Sequence, residues 1–184
     1  MTPAGSRGEP LRRRILARGA RDPVRIRKGR VSDCAAVAQV MREAIRRLAR
    51  GSCSPRHIAA WSSLPPLYHA WAMTAGGESY VVAERGGQLV GYAARRNREV
   101  TAVFVSPSHA RSGVGAALLE RLERDARRLG ARTLRAHAAL GAVPFYRARG
   151  FGGARRVQVP LFGGLALPAL LLRKRLAPAT RRIG

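Results

Sequence analysis

Apolar positions along the chain recur at two spacings, and each spacing predicts a kind of element. Val24 and Ile26 alternate with Arg25 and Arg27, as a half-buried strand requires. Ser32 and Asp33 are residue types that accept bonds from the free N–H groups at a helix start. Ala36, Val37, Val40, Met41, Ile45 and Leu48 follow at helical spacing, and Gly51 closes the helix. Residues 55–62 and 67–75 read as short helical pieces split by Pro65-Pro66. Strands at 79–84 and 88–95 flank Gly86-Gly87, a hairpin signal. A third strand, 99–105, ends at Ser106-Pro107. The next helix spans 113–129. Leu118, Leu119, Leu122, Ala126 and Leu129 form its inner stripe, and Arg121, Glu123, Arg124, Arg127 and Arg128 its solvated faces. A strand at 132–138, a short helix at 143–149 and two strands at 155–159 and 165–173 complete the pattern.

The order is strand, helices, three strands, helix, strand, helix, two strands. It predicts an α/β chain with an antiparallel meander followed by a strand–helix–strand unit. Residues 24–176 form one domain in this reading. Residues 1–23 are a basic, mobile arm, and residues 177–184 a basic tail.

Charge changes the picture less than its size suggests. Of the 184 residues, 35 are Lys or Arg and 10 are Asp or Glu, a formal net charge of +25 that invites a nucleic-acid reading. All but Lys28 and Lys174 of the basic residues are arginine, a skew that coding bias can produce. Residues 1–30 carry ten basic and two acidic groups, and residues 173–184 five basic groups and no acid, so about half the net charge lies at the ends. Non-specific binding to nucleic acid calls for exposed aromatics among the basic residues, whereas aromatics make up only 5% and most sit in apolar runs. No apolar run reaches the roughly 18–20 residues needed to cross a bilayer. The start lacks a signal-peptide core, and Cys34 and Cys53 make no disulfide framework or zinc spacing. A cytoplasmic protein without a metal is the expectation.

The candidate chemistry begins where strand 99–105 runs through a turn into Arg111-Ser112-Gly113-Val114-Gly115-Ala116. The first N–H groups of a helix lack intrahelical partners and lie at the positive end of its dipole. Gly113 and Gly115 let a ligand's phosphates approach the backbone, and Arg111 adds a fixed charge. A glycine-relaxed turn that binds nothing fits the glycines equally well. The Gly-Lys-Ser/Thr ending of a Walker loop is absent.

This stretch resembles the acetyl-CoA signature of the GNAT superfamily of N-acetyltransferases, Gln/Arg-x-x-Gly-x-Gly/Ala. Gly113-Val114-Gly115 fits its second half, and Ala110 stands at its first position with Arg111 next to it. Downstream, Ala142-Val143-Pro144-Phe145-Tyr146-Arg147-Ala148-Arg149-Gly150-Phe151 is similar to the family's Ala-x-x-Phe-Tyr-x-x-x-Gly-Phe segment, with Gly141 where an asparagine often stands. The likeness covers residues 24–176, and it extends to a subgroup of small, poorly characterised bacterial members through residues 51–61 and 164–168.

The resemblance implies a GNAT fold: a mixed, mostly antiparallel central sheet, splayed between its fourth and fifth strands, with helices on both faces. It implies that acetyl-CoA serves as acyl donor, with its pantetheine arm on the backbone of Val103, Phe104 and Val105 and its pyrophosphate on the amides of residues 111–116. A primary amine, on a small molecule or a protein N-terminus, then attacks the thioester directly, without a covalent enzyme intermediate. Tyr146 matches the family's general acid. An ordinary phenol, with a pKa near about 10, stays protonated at neutral pH and can donate. Glu99, at the start of the cofactor strand, is the candidate base. The competing reading is a strand-end glutamate paired with Arg96 or Arg98. His109, His137, His57 and His69 show no partner carboxylate at useful spacing, and Cys53 and Trp61 either line the acceptor side or pack. A homodimer is compatible with the sequence. The alternative functions are a non-catalytic CoA or acyl-CoA sensor of the same fold and, less favoured, a basic nucleic-acid-binding protein.

Overall fold

Strand and helix alternate where the apolar spacing changes from two to three and four. The computed structural model of the chain, which describes residues 22–48, 51 and 53–178, contains twelve such elements. They are β1 (Arg25–Lys28), α1 (Cys34–Leu48), α2 (Pro55–Trp61), α3 (Pro66–Thr74), β2 (Ser79–Arg85), β3 (Gln88–Arg96), β4 (Glu99–Val105), α4 (Val114–Arg128), β5 (Thr133–Ala139), α5 (Val143–Arg147), β6 (Gly152–Pro160) and β7 (Ala166–Arg175). Local chemistry sets several of the starts. Ser54 accepts a bond from the His57 amide at the head of α2, and prolines occupy the first positions of α2 and α3, where no N–H is needed. Most of the arm, residues 1–21, and most of the tail, residues 179–184, lie outside the described residues.

The strands form one sheet in the order β1-β2-β3-β4-β5-β7-β6. Every neighbouring pair is antiparallel except β4 and β5, because the crossover through α4 returns the chain in the same direction. The fold is thus the mixed, mostly antiparallel sheet with helices on both faces that the resemblance implies.

Two apolar layers sandwich the sheet. On one face Val37, Val40, Met41 and Ile45 of α1 and Ala72 of α3 pack on Tyr80, Val82, Tyr92 and Ala94. On the other, Leu118, Leu119, Leu122 and Ala126 of α4 pack on Val81, Ala83, Val90, Ala93, Val100 and Leu134. Gly91 of β3 permits this second layer, since a Cβ there would come within 3.1 Å of both Leu118 Cδ1 and Val114 Cγ1. Leu122 is 1% exposed, so Leu122→Ala should cost about 2–5 kcal/mol, read as a lower denaturant midpoint at constant slope.

Two side chains depart from the stripe that the spacing predicts. Leu129 is 75% exposed, because the helix ends at Arg128 and Leu129 caps it instead of continuing the inner row. Glu123, expected in solvent, is 3% exposed and makes ion pairs with Arg127 (3.1 Å) and Lys174 of β7 (2.5 Å). The lysine arrives from 51 residues downstream, so periodicity along α4 could not reveal the pairing. Cys34 is buried, Cys53 is half-buried, and neither forms a disulfide. No helix among the described residues is long and apolar enough to cross a membrane.

Candidate functional site

The sheet opens at its one parallel pair. β4 and β5 are in register only at Glu99↔Arg135 and Val100↔Ala136. Beyond that point β4 follows β3 to Val105, while β5 follows β7 to Ala139. A bulge turns β4 at this junction: on β3, Ala94 pairs with Ala102 and Arg95 with Val100, leaving Thr101 as the extra residue. Such a residue bends its strand and sharpens its twist. It also resets the alternation of side chains. Val100, Val103 and Val105 belong to the α4 layer, and Ala102 and Phe104 to the α1 layer, a division that a regular strand cannot produce. Val103, Phe104 and Val105 therefore lie on a limb whose edge toward β5 has no ladder partner.

At the far end of that limb the chain makes one turn of 3-10 helix, Pro107–His109, and enters α4. Arg111 (φ 62°) and Gly113 (φ 84°) both adopt the left-handed conformation, which only glycine takes without strain. The first intrahelical bond runs from the Ala117 N–H to the Gly113 carbonyl, 3.0 Å. Helix geometry thus leaves the amides of Val114, Gly115 and Ala116 without partners in the helix. Arg111, Ser112 and Gly113 are exposed, and a Cβ on Gly113 would meet nothing within 4 Å, so the space over the helix start is open. Val114 buries its side chain in the core, so only its backbone can face a ligand. Gly115 sits where a Cβ would come 3.3 Å from Phe145 and 3.5 Å from Val105. The helix start, the end of β4 and α5 therefore converge on one spot. The Ser112 hydroxyl donates to the His109 carbonyl (2.7 Å), and the His109 ring bonds to Ser108 (3.0 Å).

Tyr146 stands on α5, which continues from the β5 limb. Its ring packs edge-on against Phe145 and Phe151 at centroid distances of 5.1 and 5.3 Å. The residue is 6% exposed, and burial pushes the phenol above its ordinary pKa, so it stays protonated.

Glu99 begins β4 at the apex of the opening. Its partners are neither Arg96 nor Arg98. They come from the neighbouring limb: Arg135 Nε lies 3.2 Å away and His137 Nδ1 3.3 Å away. His137 thus has a carboxylate partner that its sequence neighbours do not supply, because Glu99 and β5 meet only across the parallel pair.

The sequence reading missed a second carboxylate on this face. Thr101, the bulged residue, donates its hydroxyl to Glu78 Oε2 at 3.0 Å. The Tyr80 hydroxyl, two residues on, lies 3.1 Å from His69 Nδ1. Burial, the largest influence, and the nearby Glu99 raise the Glu78 pKa, against the Thr101 bond and Arg96, which lower it. The available signal was Glu78 standing two residues before Tyr80 at the head of a strand, where both side chains point to one face. Trp61 packs edge-on against Phe104 on the same side of the sheet, 5.9 Å between centroids, and Cys53 packs there too.

His69 is 1% exposed, and burial pushes its pKa from 6.5 down to about 4. The folded protein holds the ring neutral, while the unfolded chain takes up a proton near the ordinary value. Stability should therefore fall as pH drops from about 6.5 toward about 4. Urea midpoints at pH 7.0 and 5.0 should differ less for His69→Gln than for the parent chain.

Among the described residues, no group of three or more His, Cys, Asp or Glu is placed to hold a metal. The family model of the GNAT acetyltransferase domain matches residues 50–159. No curated protein sequence matches the chain significantly. Among solved structures, a GCN5-related N-acetyltransferase from Rhodopseudomonas palustris superimposes with a TM-score of 0.78 at 25% identity, covering 85% of this chain and 98% of the other. The PaiA N-acetyltransferase of Thermoplasma acidophilum, in complex with coenzyme A, gives 0.66 at 19% identity over 83% and 99%. The yncA protein of Salmonella typhimurium, with its cofactor acetyl-CoA, gives 0.63 at 22% over 85% and 96%.

Proposed function

The chain belongs to the GNAT acetyltransferase family, and from that membership we propose that it transfers an acetyl group from acetyl-CoA to a primary amine by direct attack in a ternary complex. The observation that carries this reading is the opening between β4 and β5, with the start of α4 at one end and Glu99 at the other. Acetyl-CoA, when bound, supplies the acetyl thioester. The residues present suit it: Val103–Val105 offer an unpaired strand edge to an amide-bearing arm, and the amides of residues 111–116 with Arg111 offer positive potential to a pyrophosphate. The open space over Gly113 leaves room for that approach.

Two proton transfers remain for the protein. Tyr146, kept protonated by burial, donates to the departing sulfur. The amine loses its proton on the opposite face, where Glu99 and Glu78 are the available carboxylates, acting directly or through water. Soluble localisation in the cytoplasm and a homodimeric state fit this reading without adding to it.

The test is release of free thiol from acetyl-CoA in the presence of phenethylamine, spermidine, lysine or a peptide with a free N-terminus. Amine-dependent release is expected. Tight CoA binding without release on any of them would replace the enzyme by a sensor of the same fold. Salt-resistant, sequence-selective binding of nucleic acid by a chain starting at Val24 would revive the nucleic-acid reading.

A further inference from the structure

We propose that Glu78 is a catalytic residue of the acceptor side, receiving the proton that the incoming ammonium must lose, while Glu99, paired with Arg135 and His137 of β5, draws the ammonium in. The inference rests on the acetyltransferase reading above and divides the work between two carboxylates that it leaves equivalent.

Placement comes first. The bulge puts Thr101 immediately after Val100, the last residue of β4 in register with β5, and the Thr101 hydroxyl holds Glu78 at 3.0 Å. The Glu78 carboxylate is therefore one threonine side chain from the apex of the opening. Tyr80, two residues on from Glu78, packs in the α1 layer with Trp61 and Phe104.

The two carboxylates are held differently. Glu99 faces two basic side chains, Arg135 and His137, both partly exposed. Glu78 is held by the Thr101 hydroxyl, which donates to its Oε2 at 3.0 Å. Nearby, the Tyr80 hydroxyl and His69 Nδ1 lie 3.1 Å apart, and His69 Nε2 has no partner on a ring held neutral by burial. The charged and titratable groups facing Glu78 are Tyr68 from α3, Tyr80 from β2, Tyr92 and Arg96 from β3 and Glu99 from β4. Burial and Glu99 both favour its protonated form, against Thr101 and Arg96, and the balance raises its affinity for a proton. The two carboxylates differ in their partners: Glu99 meets two basic side chains, and Glu78 a hydroxyl.

The step balances. Glu78 takes one proton from the ammonium, forming the carboxylic acid and a neutral amine. The nitrogen lone pair forms the N–C bond to the thioester carbonyl, the C–S bond breaks, and the sulfur takes a proton from Tyr146. The second proton lost by nitrogen restores Tyr146, and the proton on Glu78 leaves to solvent.

The experiment is the pH profile of kcat/KM for an amine that the full chain acetylates, measured below that amine's own pKa. The parent protein should show a limb falling toward acid. Glu78→Gln should abolish the limb and lower kcat/KM by about 100-fold at pH 7. Glu99→Gln should keep the limb and move it to lower pH, because it removes the charge that raises the Glu78 pKa. Thr101→Val, which leaves the carboxylate in place, should move it to higher pH and covers the case in which Glu78→Gln fails to fold. A limb that survives Glu78→Gln, or that Glu99→Gln abolishes, overturns the assignment while the acetyltransferase reading stands. A parent protein that acetylates no amine overturns both.

Discussion

Gly113→Glu is expected to weaken CoA binding by at least about 100-fold, close to 2.8 kcal/mol, while the chain stays folded. Two effects act together. Gly113 caps α4 at φ 84°, ψ −9°, where a side chain strains the backbone by roughly 1–2 kcal/mol. A carboxylate there would also face the same helix amides as the proposed pyrophosphate, and like charges about 4 Å apart repel strongly at a partly dry site. Gly113→Ala separates the two, because it carries the strain without the charge. A Cβ at this position meets nothing within 4 Å, so steric damage to the core is excluded in advance. Calorimetric titration with CoA gives the affinities and a thermal melt gives the stability. Unchanged affinity in Gly113→Glu would remove the phosphate-loop assignment.

Tyr146→Phe should lower kcat by about 100-fold or more, at every pH where the parent enzyme works. The substitution deletes one oxygen and keeps the ring that packs at 5.1 Å from Phe145 and 5.3 Å from Phe151, so Tm and CoA affinity should hardly move. The pH independence follows from the environment. Burial pushes the phenol above its ordinary pKa, so its protonation does not change across the neutral range. A loss confined to one side of the profile would instead assign Tyr146 to positioning a titrating neighbour. An unaltered kcat would leave the hydroxyl without a chemical role. Tyr146 and Glu78 thus make opposite predictions about pH: removing the acid scales the profile, and removing the base reshapes it.

The fold gives part of the arginine-rich composition internal partners. Arg27, on β1, holds Asp33 and Glu84 together and ties the start of α1 to β2. Arg127 and Lys174 neutralise a buried glutamate. Part of the charge in the domain is therefore spent on internal partners and is unavailable to a polyanion.

Much of this molecule was written in its local pattern. The apolar runs in 79–84 and 88–95 on either side of Gly86-Gly87 placed β2 and β3 to within a residue, because runs of that length bounded by turn residues suit strands buried on both faces. The stripe Leu118, Leu119, Leu122 and Ala126 likewise placed α4, and the glycines before it placed the left-handed turn at its start, because helix ends and left-handed residues are local matters. The bulge at Thr101 and its bond to Glu78, the partners of Glu99 and the burial of Glu123 were not legible. Each depends on pairing residues far apart in sequence: Thr101 with Glu78 across 23 positions, Lys174 with Glu123 across 51. Periodicity reports which face of an element is apolar, and it is silent on which polar group from another element meets that face. The sequence determined the elements, their order and the turn at Gly113. Only the packing of β4 between β3 and β5 decided where the sheet opens and which carboxylates stand at its apex, because register between strands is fixed by the joint burial of both faces and not by either strand alone.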